Sequence, residues 1–387
     1  MLEKIISFLG LVSYKRLIRP LLFWLTKRDP EIAHQWVIRR LRQLGRHILI
    51  KKCLRWFTTE KDLRLRQTVC GLNFPRPIGL AEGFVKDPLA LPGLAALGPG
   101  FIIAGSYTAK EQAGNPRPRI WRFPKQGTLI NFMGLPNVGA EKAAEEFREF
   151  RELTEKYPGL KPNIPIGISI SMSAGTTPER APADYCQALE YLYPHGDFIV
   201  INISCPNSVG IAALQGKEFA NRLLEAIMRM VKLLAARADK PPKPIFVKVS
   251  PDLLWEELND FLEVCQKYGV NGIIAVNTTI KREGLKGENI PDKGGMSGPL
   301  LYERACEFIR YIRQKAPKLI IVGVGGINTG KDAFDMILAG ANLVMAYTGF
   351  VYQGPMFFRS VNCEILREME KDKIPHIIYL HSDKPKP

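Results

Sequence analysis

The chain contains no run of eighteen apolar residues, so a helix able to cross a bilayer, which needs about twenty, is not expected. It has no CxxC pair, and its seven cysteines (53, 70, 186, 205, 265, 306 and 363) are scattered and odd in number. This excludes a zinc ribbon, argues against a disulfide framework, and fits reduced thiols in a cytosolic compartment. The five histidines (34, 47, 195, 376 and 381) show no ligand spacing, so no metal site is expected. The opening residues 1–11 are apolar but lack a small-residue cleavage site and do not read as a secretory signal. There is no internal repeat and no low-complexity tract, which excludes a solenoid. Acidic residues are scarce, 38 against 54 Lys and Arg, for a net charge of +16. Such a surplus suggests anionic lipid, nucleic acid or an anionic substrate as partner, with a merely solvated face as the plain alternative.

The surplus is uneven. Residues 1–60 hold 13 Lys or Arg against 4 Asp or Glu. They read as amphipathic helices, with the apolar knot Leu21–Leu25 set between Arg19 and Lys27-Arg28. Asp29-Pro30-Glu31 is a strong helix start, with Asp at the cap and Pro just inside. Trp36, Val37, Ile38 and Leu41 then interleave with Arg39, Arg40 and Arg42, a pattern suited to a helix in a membrane interface. A helical cap packing its apolar stripe on the main domain has the same pattern, and both can hold at once. The expected division is a helical extension over 1–62 as a candidate membrane and quinone site, a main domain over 63–370, and a charged, Pro-rich tail over 371–387 that frays.

From about residue 64 short apolar runs alternate with helical segments. The runs cover 77–81, 101–105, 164–170, 198–203, 245–249, 272–276, 319–323 and 343–346, with helices expected over 213–237, 254–268, 300–315 and 331–339. Eight strands alternating with helices predict an α/β fold, a (β/α)8 TIM barrel preceded by the small helical extension. The long 106–163 insertion is suited to a lid or substrate loop.

Chemistry-bearing residues gather at the strand exits. Asn202-Ile203-Ser204-Cys205-Pro206-Asn207 follows the run Phe198–Ile201, so two amides, a hydroxyl and a thiol crowd one strand end. Lys86 follows the first strand, Asn131 lies in the insertion, Lys248 ends the fifth strand and Asn277-Thr278-Thr279 the sixth. A lone Asn is usually a turn or cap residue; four Asn and two Lys at strand exits suit a planar ring with alternating C=O and N–H groups plus negative charge. Asp252, Glu256 and Glu257 are expected as helix-start acids. Gly323-Val324-Gly325-Gly326 and Ala346-Tyr347-Thr348-Gly349 follow the last two strands, where barrels place phosphate groups against backbone N–H donors.

Seven segments together resemble the dihydroorotate dehydrogenases, flavin enzymes of pyrimidine biosynthesis, from about residue 65 to residue 354. They are Gly79-Leu80-Ala81-Glu82-Gly83 with Lys86, Gly114-Asn115-Pro116-Arg117-Pro118-Arg119, Asn131-Phe132-Met133-Gly134, the Cys205 segment, Val247-Lys248-Val249-Ser250-Pro251-Asp252-Leu253, Asn277-Thr278-Thr279 and Gly294-Gly295-Met296-Ser297-Gly298. The resemblance implies FMN as cofactor, held by Ala81, Gly83, Lys86, Ser106, Asn131, Ser169, Asn202, Lys248, Gly295, Gly298, Gly325, Gly326, Tyr347 and Thr348. It implies dihydroorotate or orotate held by Lys86, Asn131, Met133, Gly134, Leu135, Asn202, Asn207, Asn277 and Thr278. It makes Cys205 the base that takes a proton from C5 while hydride passes from C6 to the flavin.

The family has membrane-bound, quinone-reducing members with a helical extension and normally a serine base, and soluble members with a cysteine. Here the extension, with Asp29-Pro30-Glu31 and Ala33-His34, resembles the first class, while Cys205 and Leu135-Pro136-Asn137 resemble the second. Ser169 stands where the quinone class usually has Asn, and Val276 where Thr is usual. The resemblance implies a quinone acceptor and peripheral attachment through residues 1–60 on the cytoplasmic side of the cell membrane. The rivals are fumarate as a soluble acceptor, a tRNA-dihydrouridine synthase-like flavoenzyme, and a non-catalytic, membrane-docked flavin or phosphate module. The basic excess precedes the barrel, so nucleic acid is not an expected partner.

Overall fold

A computed structural model describes residues 10–207, 210 and 212–380. Eight parallel strands close a barrel: β1 Ile78–Leu80, β2 Ile102–Tyr107, β3 Ile166–Ser171, β4 Phe198–Asn202, β5 Ile245–Val249, β6 Gly272–Ala275, β7 Ile320–Val324 and β8 Leu343–Ala346. Each pairs with its sequence neighbours, and β8 closes on β1 through Met345 opposite Gly79. The strands read as continuous apolar runs because both faces are buried. Val200, Phe246, Ile274, Val322 and Met345 point into the barrel, whereas Ile168, Ile199, Ile201 and Val247 face the helices. A short hairpin, Gln67–Val69 with Leu72–Phe74, closes the bottom, and Phe74 meets Phe101 edge-on at 5.4 Å. Burying one such ring stabilises the fold by roughly 1.5–3 kcal/mol.

The expected helices form as Lys217–Arg237, Trp255–Lys267, Tyr302–Lys315 and Gly330–Leu338. The 106–163 insertion is more structured than a loop. It carries a hairpin, Ile120–Phe123 with Thr128–Asn131, and the helix Ala140–Lys156. The strand Gly295–Ser297, which follows β6, pairs with Thr128–Asn131. A three-stranded sheet thus stitches two distant barrel loops together over one side of the mouth.

Before the barrel lie α1 Arg19–Leu25, α2 Pro30–Gly45 and α3 Ile48–Thr58. Asp29 caps α2 by accepting from the amides of Glu31 and Ile32 at 2.8 and 3.0 Å, and Pro30 occupies the first turn. Polar anchors hold the helices down. Tyr14 donates to the Val351 carbonyl at 3.0 Å. Lys51 reaches the carbonyls of Gly159, Leu160 and Lys161 at 2.9, 2.7 and 3.1 Å, and Thr58 reaches that of Ala96 at 2.6 Å. Gly45 lies against Gly93: a Cβ on Gly45 would sit 2.6 Å from the Gly93 nitrogen, and one on Gly93 would strike the Leu41 carbonyl.

Leu22, Ala33 and Leu41 are buried, while Trp24 is 73% and Leu49 80% exposed, alongside exposed Leu21, Trp36, Ile50, Trp56 and Phe57. The extension therefore packs as a cap and still presents a large apolar face outward. Among the described residues no helix is long and apolar enough to cross a membrane. Of the 371–387 tail, Ile374 and Ile377 are buried, because the turn at Ile377–Leu380 folds back on the core; residues 381–387 lie outside the described residues.

Candidate active site

A cavity of about 1160 Å³ opens at the carboxyl ends of the strands and runs without a break to the helical extension. Its inner wall holds Cys205, Lys248, Asn277 and Gly326; its outer wall holds Leu22, Phe23, His34 and Val37. β4 delivers Asn202 and, just beyond it, Cys205, 4% and 7% exposed. The Asn202 carbonyl accepts from Ser171 Oγ at 2.9 Å and Tyr185 Oη at 2.8 Å. Its amide donates to Ser106 Oγ at 2.9 Å, and Ser106 shares a 2.7 Å hydrogen bond with Ser169. On the opposite side Asn277 Nδ2 reaches Ser204 Oγ at 3.0 Å and Asn202 Oδ1 at 3.4 Å. Every member of this network is fixed by another, so the strand end is stiff before any ligand arrives.

The insertion supplies the facing side. Asn207 Nδ2 donates to Asn131 Oδ1 at 2.8 Å, and Asn115 holds the Asn207 carbonyl at 3.2 Å. Asn207 Oδ1 is buried without a hydrogen-bond partner, an arrangement a ligand N–H would satisfy. Lys86, partly buried in the wall, donates to the Pro136 carbonyl at 2.6 Å. Burial pushes its pKa down to about 8; charge on Cys205 pulls it upward and Arg119 adds to the fall. Lys248 Nζ lies 2.7 Å from Glu82 Oε1.

Ala81, Gly83, Lys86, Ser106, Asn131, Met133, Gly134, Leu135, Asn202, Cys205, Asn207, Lys248, Asn277, Thr278, Gly298, Gly325, Gly326, Tyr347 and Thr348 all line this one cavity. Two expected site residues stand behind it. Ser169 is fully buried beneath Ser106. Gly295 lies in its strand, where a Cβ would strike Thr278 Oγ1, and its carbonyl accepts from Asn131 at 3.3 Å. Asp252 corrects one expectation. It does not serve a helix start: its carboxylate accepts from Thr279 Oγ1 at 2.5 Å and the Ile280 amide at 3.0 Å, tying the loop after β5 to the loop after β6. The helix start is served instead by Glu257, which accepts from the Leu254 amide at 2.9 Å. Residues given no role from sequence, namely Ser171, Tyr185, Ser204 and Asn115, orient the amides. Ser204 and Asn115 lie in segments already singled out by the strand end and the resemblance; nothing in the sequence marked Ser171 or Tyr185.

The donor set fits a phosphate-bearing flavin. Gly325 and Gly326 take φ of +128° and +83°, and a Cβ on Gly326 would sit 2.7 Å from Tyr302 Cα, so the backbone there stays bare as a phosphate cradle requires. Thr348, which shares a 2.8 Å hydrogen bond with Ser297, opens the neighbouring helix.

The sequence model of the family described as "Dihydroorotate dehydrogenase" matches residues 64–369. This chain belongs to the dihydroorotate dehydrogenase family. It is 42% identical to a protein of Chloroflexus aurantiacus named "Dihydroorotate dehydrogenase (quinone)", over 91% of this chain and 96% of that one. It is 39% identical to a protein of the same name from Christiangramia forsetii, over 92% and 99%. Among solved structures, the dihydroorotate dehydrogenase of Eimeria tenella in complex with ferulenol superposes with a TM-score of 0.82 at 29% identity, covering 92% of this chain and 95% of that one. The matches to the quinone-named relatives, covering 91% and 92% of this chain, reach beyond the barrel into the helical extension.

Proposed function

We propose that this chain binds FMN at the barrel mouth, oxidises (S)-dihydroorotate to orotate there for pyrimidine synthesis, and delivers the electrons to a quinone admitted between α1 and α2. The observation that carries this reading is the single cavity joining Cys205 and Lys248 to His34, Phe23 and Leu22. A polar half suited to a small planar acid opens into an apolar half suited to a lipophilic ring.

Bound FMN would supply the two-electron acceptor. Cys205, as thiolate, takes the C5 proton; the C6 hydride carries the electron pair away, leaving the ring double bond of orotate. A thiol's ordinary pKa of roughly 8.5 lies near enough to neutrality that no histidine partner is needed. Lys86 lines the same cavity as Cys205, and negative charge on the thiol raises the Lys86 pKa, so an ammonium there and a thiolate stabilise each other. Asn131, Asn207 and Asn277 present fixed amides to the substrate ring, and Lys86 offsets its carboxylate. The quinone takes two electrons and two protons, closing the balance. Attachment is peripheral, through exposed Trp24, Leu49 and Trp56 beside the basic residues of 1–60, on the cytoplasmic side of the membrane.

The test is anaerobic. Dihydroorotate should bleach the yellow protein, and a short-chain quinone should restore the colour far faster than fumarate or NAD. Restoration by fumarate alone would reassign the acceptor, and failure to bleach would sink the reading.

A further inference from the structure

Glu82 is a carboxylate directly after β1, in the otherwise uncharged stretch Leu80-Ala81-Glu82-Gly83-Phe84. Its side chain is 4% exposed and lines the cavity. Lys248 Nζ, equally buried, stands 2.7 Å from Oε1. Neither carboxylate oxygen has an aligned hydrogen-bond donor. A buried pair held by one contact returns less than the desolvation of its two charges costs, so this pair is not explained by folding. It faces the space where the cofactor fits.

We propose that Glu82 is a positioning residue that sets the charge a bound flavin experiences. It holds the Lys248 ammonium in place and cancels most of its charge. The proposal rests on the FMN reading above. Two electrons and one proton added to the flavin leave one extra negative charge, which a lone ammonium would stabilise strongly in a dry site. With Glu82 in contact that gain is largely withdrawn, so the reduced flavin is a stronger donor toward quinone. Glu82 neither gives nor takes a proton or an electron; it acts through Lys248.

The experiment measures the midpoint potential of the bound flavin by anaerobic equilibration with reference dyes, followed by absorbance. Glu82→Gln, close in shape, leaves Lys248 unopposed. Reduced flavin should then be favoured about tenfold or more over oxidised, a rise of ~30 mV for a two-electron couple. Glu82→Asp keeps the charge and should stay near the parent value, and Lys248→Met should fall below it. An unchanged midpoint in yellow Glu82→Gln protein overturns the proposal. So does an equal rise in Glu82→Asp, which would make the effect one of shape. A parent protein that stays colourless when titrated with FMN would overturn the cofactor reading instead.

Discussion

On the proposed reading, Cys205 and Lys86 carry the chemistry at the scale of single residues. With FMN retained, Cys205→Ala should slow flavin reduction by dihydroorotate about 10²–10⁴-fold, the usual worth of a positioned base. Cys205→Ser should recover little, because a serine hydroxyl is a far weaker acid than a thiol and holds almost no oxyanion near neutral pH; stopped-flow bleaching at parent rate in either variant would remove Cys205 from the reaction. Lys86 supplies a pH dependence. Burial lowers its pKa to about 8, so it is charged below that pH and neutral above. Orotate affinity, read from the shift in flavin absorbance, should hold below pH 8 and weaken as pH rises through it. In Lys86→Met it should be weak and flat across the range. Cys205 and both lysines were legible in the sequence because thiols and ammoniums at strand ends are unusual. Glu82 was equally visible but had no assignable role, since its partner lies 166 positions away in sequence and only the fold brings them together. Asp252 misled for the same reason: its partners belong to another loop.

Among the elements, α2 is the one whose attachment is most specific. Arg119 donates to Glu31 through Nε and Nη2 at 3.0 and 2.7 Å, and Arg117 adds a contact at 2.8 Å. Burial opposes ionisation of Glu31, but the hydrogen bonds from Arg119 and Arg117 prevail and hold its pKa below the ordinary value. Glu31→Ala would leave the Arg119 charge buried with no carboxylate beside it, its Nη1 still donating to the Ala113 and Asn115 carbonyls, so unfolding should become easier by about 3 kcal/mol, visible as a lower midpoint in thermal or urea denaturation. A melt unchanged from the parent would show the pair to be idle. The barrel strands were readable because both faces are buried, which writes them as unbroken apolar runs, and the cap of α2 because Asp-Pro-Glu states it locally. The three-stranded sheet over the mouth escaped notice. Ile120–Phe123 is half-buried along its whole length and shows no alternation, and Gly295–Ser297 is too short and too small in side chain to register.

For the whole molecule, the proposed membrane attachment has the exposed apolar face of the extension and its surrounding positive charge acting together. The protein should float with vesicles containing anionic lipid and bind neutral vesicles less tightly, since each Lys or Arg near such a surface contributes about 1 kcal/mol. Trp24→Ala should weaken flotation roughly tenfold, and 0.5 M salt should weaken binding to the anionic vesicles without abolishing it; equal binding to both lipid types would show that charge has no part. The contact between Gly45 and Gly93 has a consequence for ancestry and engineering alike. Two backbones meet there with no room for a methyl group on either side. An extension of this kind cannot be transplanted onto another barrel of the family by matching surface polarity alone. The recipient must already carry a glycine at the seat of Gly93, and the donor one at the heel of α2, so the two positions should be gained and lost as a pair.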